Sequence, residues 1–452
     1  MIPDSVIEEV RARLDAVIVI GRHTKLRKSG SSFSGTCPFH ADKNPSFRVY
    51  AEKKRFRCYG CGAHGDVFEF LQKLQGKEFP VVVRELAAEL GIDVSQETAS
   101  SQLEPLRQEK AGALAACEAS TAHWSSNLWG SAGENARRYL NVRGVNETTA
   151  REFRLGVAVK EWHDLHRAVA GKNGLSNADL GRAGVVVDGR KGIYDRFRDR
   201  LIFPITDLDG RVVGFGGRAL GHEAGPKYIN TPETALYKKS RVLYGIGQAK
   251  DAIRKSGVAI LVEGYFDVLL PRQAGVRNVV AVCGTTLTPE HLELLKRCEC
   301  RELVMLFDGD AAGAAAPPQL AGAIFQAGLS ARVAKLPGDP DEYVRAHGRA
   351  GFEALVASAP SLTEYLITRA IEKHTGTAAA THASVEQKLA IVRMLAPHAS
   401  ALPEGLTRSA FERRIAQRLA LEIGGVREEV HRQCARSGAP GPRAERSQGA
   451  GT

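Results

Sequence analysis

No run of about 18 apolar residues occurs in the chain, so no transmembrane helix is expected. The amino-terminal stretch "MIPDSVIEEVRARLDAVIVIGRH" opens with Asp4, Glu8 and Glu9, where a secretory signal would carry basic residues. It reads instead as a folded helix. Cysteine is scarce, with eight residues in 452. Without an export signal, these read as reduced thiols or metal ligands rather than a disulfide framework. There is no G-x-x-x-x-G-K-[ST] stretch, which excludes a P-loop. G-x-S-x-G and H-E-x-x-H are also missing, which excludes nucleophile-elbow hydrolases and that class of zinc protease. "GFGGR" and "YGIGQAK" are Gly-rich, but neither has the G-x-G-x-x-G form between a strand and a helix.

What the chain does have is positive charge. Its 62 Lys and Arg against 51 Asp and Glu give a net +11, with a pI near 9.3. That balance points to a polyanionic partner, nucleic acid or an anionic membrane surface. A chain of 452 residues is too long for one core and should hold two to four domains. Residues 1–95 form a small module. Residues 96–114 are polar with weak periodicity and read as a linker. Residues 115–256 mix helical pattern with strand-like runs such as "RLIFPITD". In residues 257–345, the short apolar runs "VAILVEG", "RNVVAVCG", "RELVMLFDGD" and "ARVAKLP" alternate with helix-like segments, as in a parallel sheet with crossover helices. Residues 360–433 read as helices, and residues 434–452, rich in Gly, Pro, Ser and Arg, as a disordered tail.

The most specific short pattern lies in the first module. Cys37-x-x-His40 is followed, after seventeen residues, by Cys58-x-x-Cys61. Each pair sets two ligands on one side of a tight turn, and two such turns close the tetrahedron that a structural Zn2+ takes. The alternative, a chance cluster of buried thiols, requires two correctly spaced half-sites by accident. Between the pairs, "SFRVYAEKKRFRCYGC" alternates like a hairpin with Glu52-Lys53-Lys54 at its tip, a zinc-ribbon layout. His64 is left as a surface residue, since four ligands are already present. From Arg22 to Arg57 there are ten Lys or Arg and two acids, interleaved with Phe33, Phe47, Tyr50, Phe56 and Tyr59. Basic residues can meet phosphates while rings stack on unpaired bases, although about half of these aromatics should belong to the module's core.

In the parallel-sheet region, acids end the strand-like runs: Glu263 with Asp267 four residues on, then Asp308 and Asp310, then Asp339 and Asp341. Asp-Gly-Asp or Asp-Pro-Asp alone is an ordinary turn. Three acidic clusters, each at the end of a different strand, are less ordinary, because ligands bind beyond the carboxyl ends of parallel strands. Six converging carboxylates would repel one another unless cations lay between them, and hard oxygen ligands suit Mg2+ or Mn2+. Upstream, residues 182–241 hold twelve Lys or Arg and seven acids. Gly214, Gly216 and Gly217 would let the backbone approach a phosphate that Arg218 and Lys227 could neutralise. For any single one of these cations, a solvated charged face is the simpler reading.

The C-x2-H…C-x2-C ribbon, "RRYLNVRGV", "YDRFRDRLIFPI", "GFGGRAL", "PKYINTPET", "LVEGYFD", "FDGDAAG" and "DPDEYV" follow one another as in bacterial replicative primases of the DnaG type. The resemblance covers about residues 1–345 and weakens after 360. It implies a multidomain α+β fold: an amino-terminal zinc ribbon, a primase core with a Toprim α/β parallel-sheet domain, and a carboxy-terminal helical segment. It implies a DNA-directed RNA polymerase that makes short RNA primers from ribonucleoside triphosphates on single-stranded DNA. Such an enzyme would act as a monomer at bacterial replication forks in the cytoplasm, away from membranes. One structural Zn2+ and two or more catalytic Mg2+ or Mn2+ ions follow. Glu263, Asp308 and Asp310 match catalytic positions, and with Asp267, Asp339 and Asp341 they match the acidic metal site. Arg143, Arg196, Arg198, Arg218, Lys227, Asn230 and Lys239 match positions that hold template or nucleotide, with Lys238 the one-residue alternative to Lys239.

The chain departs from the family in two places. Pro317-Pro318 stands where the helix after Asp-Gly-Asp should run, so a helix is expected to start near Pro317 or to kink there. The family's further carboxy-terminal domain, which docks on the replicative helicase, does not follow the tail. Either the sequence is a fragment or the docking domain is missing, which puts helicase binding in doubt. Two other readings compete: another Toprim enzyme, such as a nuclease or topoisomerase, and a non-catalytic single-strand-binding protein that kept the fold.

Overall fold

A computed structural model describes residues 2, 4–30, 32–40, 42, 45–75, 77–92, 97–172, 174–221, 225–284, 286–307, 311–336, 338–403 and 405–436. The chain divides into two compact units, Met1–Gln108 and Glu109–Thr452.

The first unit is built on a five-stranded antiparallel sheet in the order β1 (Arg27–Ser29), β2 (Ser32–Gly35), β3 (Phe47–Tyr50), β4 (Arg55–Cys58), β5 (His64–Asp66). The β3–β4 hairpin is the one the alternation predicts, and Lys54 at its tip takes a positive φ of 49°. Its ammonium donates to the carbonyls of Arg11 and Ala12 at 2.9 and 2.6 Å, closing the end of the helix Asp4–Arg13. A second short helix, Ala16–Gly21, starts where the Asp15 carboxylate accepts the N–H groups of Val17 and Ile18. One face of the sheet is apolar. Phe47 and Phe56 stack at 5.4 Å between centroids and meet Phe39 and Phe70 edge-on or tilted.

The stretch read as a linker is helical over its described part, within the helix Glu97–Trp129. Residues 107–111 of it are exposed, and Glu, Gln, Lys, Arg and Ala are all good helix formers, so its polar texture does not require irregular structure.

The second unit carries two sheets that matter for chemistry. An antiparallel sheet has the order β11 (Tyr228–Asn230), β10 (Val212–Ala219), β9 (Arg200–Thr206), β6 (Gly156–Ala158), and a hairpin β7 (Val186–Gly189)–β8 (Gly192–Asp195) stands beside it in sequence. The other sheet has the order β13 (Val279–Ala281), β12 (Val258–Val262), β14 (Glu302–Phe307), β15 (Ser330–Lys335), with every pairing parallel. The strands are those of the four apolar runs, and their near-continuous burial matches a sheet covered on both faces. All four carboxyl ends therefore lie on one edge. The segment after 360 is helical as expected: Leu362–Thr375, Val385–Ala401, Leu406–Leu419 and Ile423–Arg436. The tail from residue 437 lies outside the described residues.

Of the two outcomes expected at Pro317-Pro318, the first does not hold. The helix after β14 runs from Ala311 to Gln326 with both prolines inside it, rather than starting near Pro317. Proline's fixed φ is itself helical. What it removes is the N–H that would reach the carbonyl four residues back, here at Gly313 and Ala314. Two adjacent prolines make one local interruption, and the helix continues through it.

Candidate metal centre and nucleotide cleft

In the first unit, Cys37, His40, Cys58 and Cys61 offer ligand atoms that all lie within 4.8 Å of one another. The Cys37 and Cys61 sulfurs are 3.8 Å apart, and the Cys58 sulfur is 4.0 Å from Nδ1 of His40. Four ligands about 2.3 Å from a central Zn2+ have edges of about 3.8 Å, so the donor set fits the ion in both type and spacing. Burial pushes the Cys37 thiol up to about 12. At Cys58, burial is outweighed by the Ser46 hydroxyl and the N–H groups of Cys61 and Gly60, and the thiol falls to about 6. Sequence reasoning missed Asp42. Its carboxylate accepts the N–H of Cys37 at 2.9 Å and the Ser46 hydroxyl at 2.7 Å, tying together the loops that carry the ligands. A carboxylate two residues after a ligand was the available signal. His64 is exposed and outside the cluster.

The opposite face of this sheet is cationic. Cα pairing aligns Arg27, Ser34, Arg48, Arg57 and His64 in one row across all five strands, and the three arginines and the histidine are exposed. Arg57 lies over the ring of Tyr59 at 5.2 Å, and the Tyr59 hydroxyl meets that of Tyr50 at 2.9 Å. Phe47 and Phe56 are core and Tyr59 is 60% exposed, the division expected of these aromatics.

In the second unit, a cleft of about 860 Å3 opens beyond the carboxyl ends of the parallel strands. Glu263, Asp267 and Asp339 line it, together with Arg143, Arg196, Arg218, Lys227 and Lys239. Glu263 follows β12 directly. Asp267 accepts the N–H of Gly264 at 2.8 Å, which fixes the start of the helix Tyr265–Gln273. Carboxylate oxygens in a half-open cleft suit a hard divalent cation in donor chemistry. Asp308 and Asp310 lie outside the described residues. Asp341 is not in the cleft wall. It is 1% exposed and forms an ion pair with Arg143.

The basic residues divide by what they touch. Arg143 and Arg218 both lie over the ring of Phe266, at 4.5 and 5.7 Å, so one aromatic holds two guanidinium groups at the cleft. Arg218 also donates to the Tyr228 hydroxyl at 2.7 Å. Arg196 is anchored on the carbonyl of Asn230 at 3.0 Å. Asn230 lines the cleft but is used at both ends: its Nδ2 donates to the carbonyl of Cys283 at 3.1 Å, and its Oδ1 accepts the Tyr265 hydroxyl at 2.7 Å. Arg198 is elsewhere, stacked on Trp162 at 4.1 Å with the Tyr194 ring at 5.3 Å. Trp162 is 57% exposed, and sequence reasoning passed over it. Lys239 faces the cleft and Lys238 does not.

The Gly-rich stretch has a packing reason that the sequence alone did not show. A Cβ on Gly214, Gly216 or Gly217 would run into the ring of Tyr237, Tyr265 or Phe197, at 2.5, 2.1 and 2.7 Å. The space a side chain would take at these positions is filled by buried aromatic residues of this chain. Gly216→Ala should therefore displace Tyr265 and loosen its brace on Asn230. Overpacking of this kind costs about 1–3 kcal/mol, to be read as a lower urea midpoint; an unchanged midpoint would mean the ring relaxes freely.

Comparison with known proteins agrees with this arrangement. Residues 2–102 match the CHC2 zinc finger family, residues 123–250 the DNA primase catalytic core N-terminal domain, and residues 257–335 the Toprim domain. A DNA primase from Myxococcus xanthus is 42% identical over 422 residues, which is 92% of this chain and 68% of that protein. The crystal structure of the Aquifex aeolicus primase, comprising zinc-binding and RNA polymerase domains, is 31% identical, with a TM-score of 0.60 over 93% of this chain and 98% of that one. A DnaG primase catalytic domain bound to single-stranded DNA is 29% identical, with a TM-score of 0.63 over 71% of this chain and 99% of that one.

Proposed function

The chain belongs to the bacterial DNA primase family, and on that premise we propose that it synthesises short RNA primers on single-stranded DNA in the cleft beyond the parallel strands. The observation that carries this reading is the meeting of Glu263, Asp267 and Asp339 with Arg143, Arg218 and Lys227 in one cavity. The reaction is attack of a 3′-hydroxyl on the α-phosphorus of a ribonucleoside triphosphate, with pyrophosphate leaving. Divalent ions held by the carboxylates would activate the attacking oxygen and offset charge on the leaving group. The chain's own residues do the positioning. Arg143, Arg218 and Lys227 would hold triphosphate oxygens, with the Phe266 ring fixing the two guanidinium groups and Asp341 steadying Arg143. Asn230 and Arg196 brace the wall on which these groups stand. Asp308 and Asp310, next after β14, complete the acidic set in this reading.

Template handling is assigned to two surfaces, each in its own unit. One is the Arg27–Arg48–Arg57 row with Tyr59. The other is the exposed Trp162 backed by Arg198. Each combines a ring for a base with a cation for phosphate. The enzyme would act as a monomer at replication forks in the cytoplasm.

Incubation with single-stranded DNA, labelled ribonucleotides and Mg2+ or Mn2+ should give short RNA, which Asp308→Ala abolishes. Nicked or relaxed DNA without RNA would mean a different Toprim chemistry, and template binding with no product would mean a non-catalytic protein.

A further inference from the structure

The second unit holds another cavity, of about 260 Å3, that shares no lining residue with the cleft. It lies where β9 turns into β10, against the end of the helix Pro289–Arg297 and the segment 235–246. Five cations line it: Lys110, Arg211, Lys238, Arg241 and Arg297. Its two acids, Asp207 and Asp209, are both engaged by Arg211, at 2.9 and 2.7 Å. The other four cations make no salt bridge or side-chain hydrogen bond with any of the described residues. Four positive charges with no partner among the described residues repel one another around one hollow, and an anion placed among them relieves that repulsion. The remaining wall is apolar, including Leu208, Val213, Leu236 and Leu294. A solvated charged face needs no such wall, and a bare inorganic anion would leave it uncovered. A ligand with a flat apolar part and a phosphate end would cover both. The volume falls just below the roughly 300–1,000 Å3 usual for ligand sites, which leaves room for one nucleotide at most and not for a strand.

We propose that this cavity is a nucleotide-binding site separate from the cleft, with the phosphates held by Lys238, Arg241, Arg297 and Lys110. Its position gives it a route to the cleft. Lys238 and Arg241 face this cavity, while Lys239, between them in sequence, faces the cleft. The segment is held by the buried Tyr237 and by His291, whose Nε2 is 2.8 Å from the carbonyl of Lys239. Phosphate drawing on Lys238 and Arg241 therefore bears directly on the backbone that presents Lys239.

The test is equilibrium dialysis of labelled ADP against the full chain with no added divalent ion. Arg241 and Arg297 are exposed and make no ion pair with the described residues, so the double substitution R241A/R297A should leave the fold intact. Two classes of ADP site are expected. R241A/R297A should weaken one by at least about tenfold, the equivalent of 1.4 kcal/mol, and R218A/K227A should weaken the other. A twelve-residue oligothymidylate should not displace the ADP that R218A/K227A still binds. An unchanged isotherm for R241A/R297A overturns the proposal, as does an R218A/K227A chain that binds no ADP. Displacement by the oligonucleotide also overturns it, by making the cavity part of a strand-binding path. None of these readings uses RNA synthesis, so failure of the primase reading leaves them distinguishable.

Discussion

Glu263→Gln is expected to lower primer synthesis by about a thousandfold while leaving the thermal unfolding of the chain nearly unchanged. The two halves of this expectation have separate physical grounds. Glutamine keeps the shape of glutamate, and Glu263 is half-buried at a strand end rather than packed in the core. Its backbone carbonyl, which accepts the N–H of Cys283 at 3.0 Å, is untouched by the substitution. Folding should therefore be little affected. The charge is another matter. Glu263 is the carboxylate placed directly after the central strand β12, between β13 and β14 in the sheet. Removing one anionic ligand from a divalent-ion site forfeits several kcal/mol of stabilisation of charge that develops in the transition state, and each 1.36 kcal/mol is about tenfold in rate.

The check has two measurements. Primer yield should fall, and the affinity for Mn2+, followed by electron paramagnetic resonance, should fall with it. Full activity with unchanged Mn2+ binding would remove Glu263 from the site and with it the convergence on which the proposed chemistry stands. Lost activity with unchanged Mn2+ binding would give the carboxylate a role toward substrate instead.

Glu263 also shows what a sequence can disclose. The parallel sheet was legible because four apolar runs of strand length alternated with helical pattern, and the acids stood at fixed places relative to those runs. Once the strands are parallel, the carboxyl ends must share an edge, so Glu263, Asp267 and Asp339 come together without any further information. Residue type at a spacing says less about which group fills the space nearby. Gly216 marks a close approach, yet nothing local says whether a phosphate or the ring of Tyr265, forty-nine positions on, makes it. "YDRFRDR" reads as a basic patch. In the fold, Asp195 caps a helix by accepting the N–H groups of Leu165 and His166, Arg196 and Arg200 anchor carbonyls, and Arg198 alone is stacked on an exposed ring. Those distinctions depend on partners far away in sequence, as does the second cavity, whose cations come from four separate stretches of chain.

The zinc cluster makes the remaining large effect a matter of folding rather than rate. Cys58→Ser is expected to abolish cooperative unfolding of Met1–Gln108 while leaving the transition of Glu109–Thr452 in place. Cys58 is 1% exposed and ends β4, with its sulfur within 3.4 Å of two backbone N–H groups and 3.3 Å from the Ser46 hydroxyl. Serine is smaller and a poor ligand for zinc, so the substitution removes a bond to the ion and opens a void beside Phe47, which pairs with Cys58 across the sheet. In zinc-finger peptides the ion contributes an apparent 10–16 kcal/mol or so, against a total stability of about 5–15 kcal/mol for a typical domain. The aromatic cluster of the first unit could retain residual structure, but not at that deficit. The second unit has core clusters of its own, made of other residues, and no ligand in the zinc set. Calorimetry of the unaltered chain should show two transitions, the lower of which chelation removes, and C58S should reproduce the chelated trace. Initiation on a template should weaken in parallel, because the Arg27–Arg48–Arg57 row exists only while the strands are paired. A single transition that disappears entirely in C58S would mean that the second unit depends on the first for its stability, and the modular reading would fail.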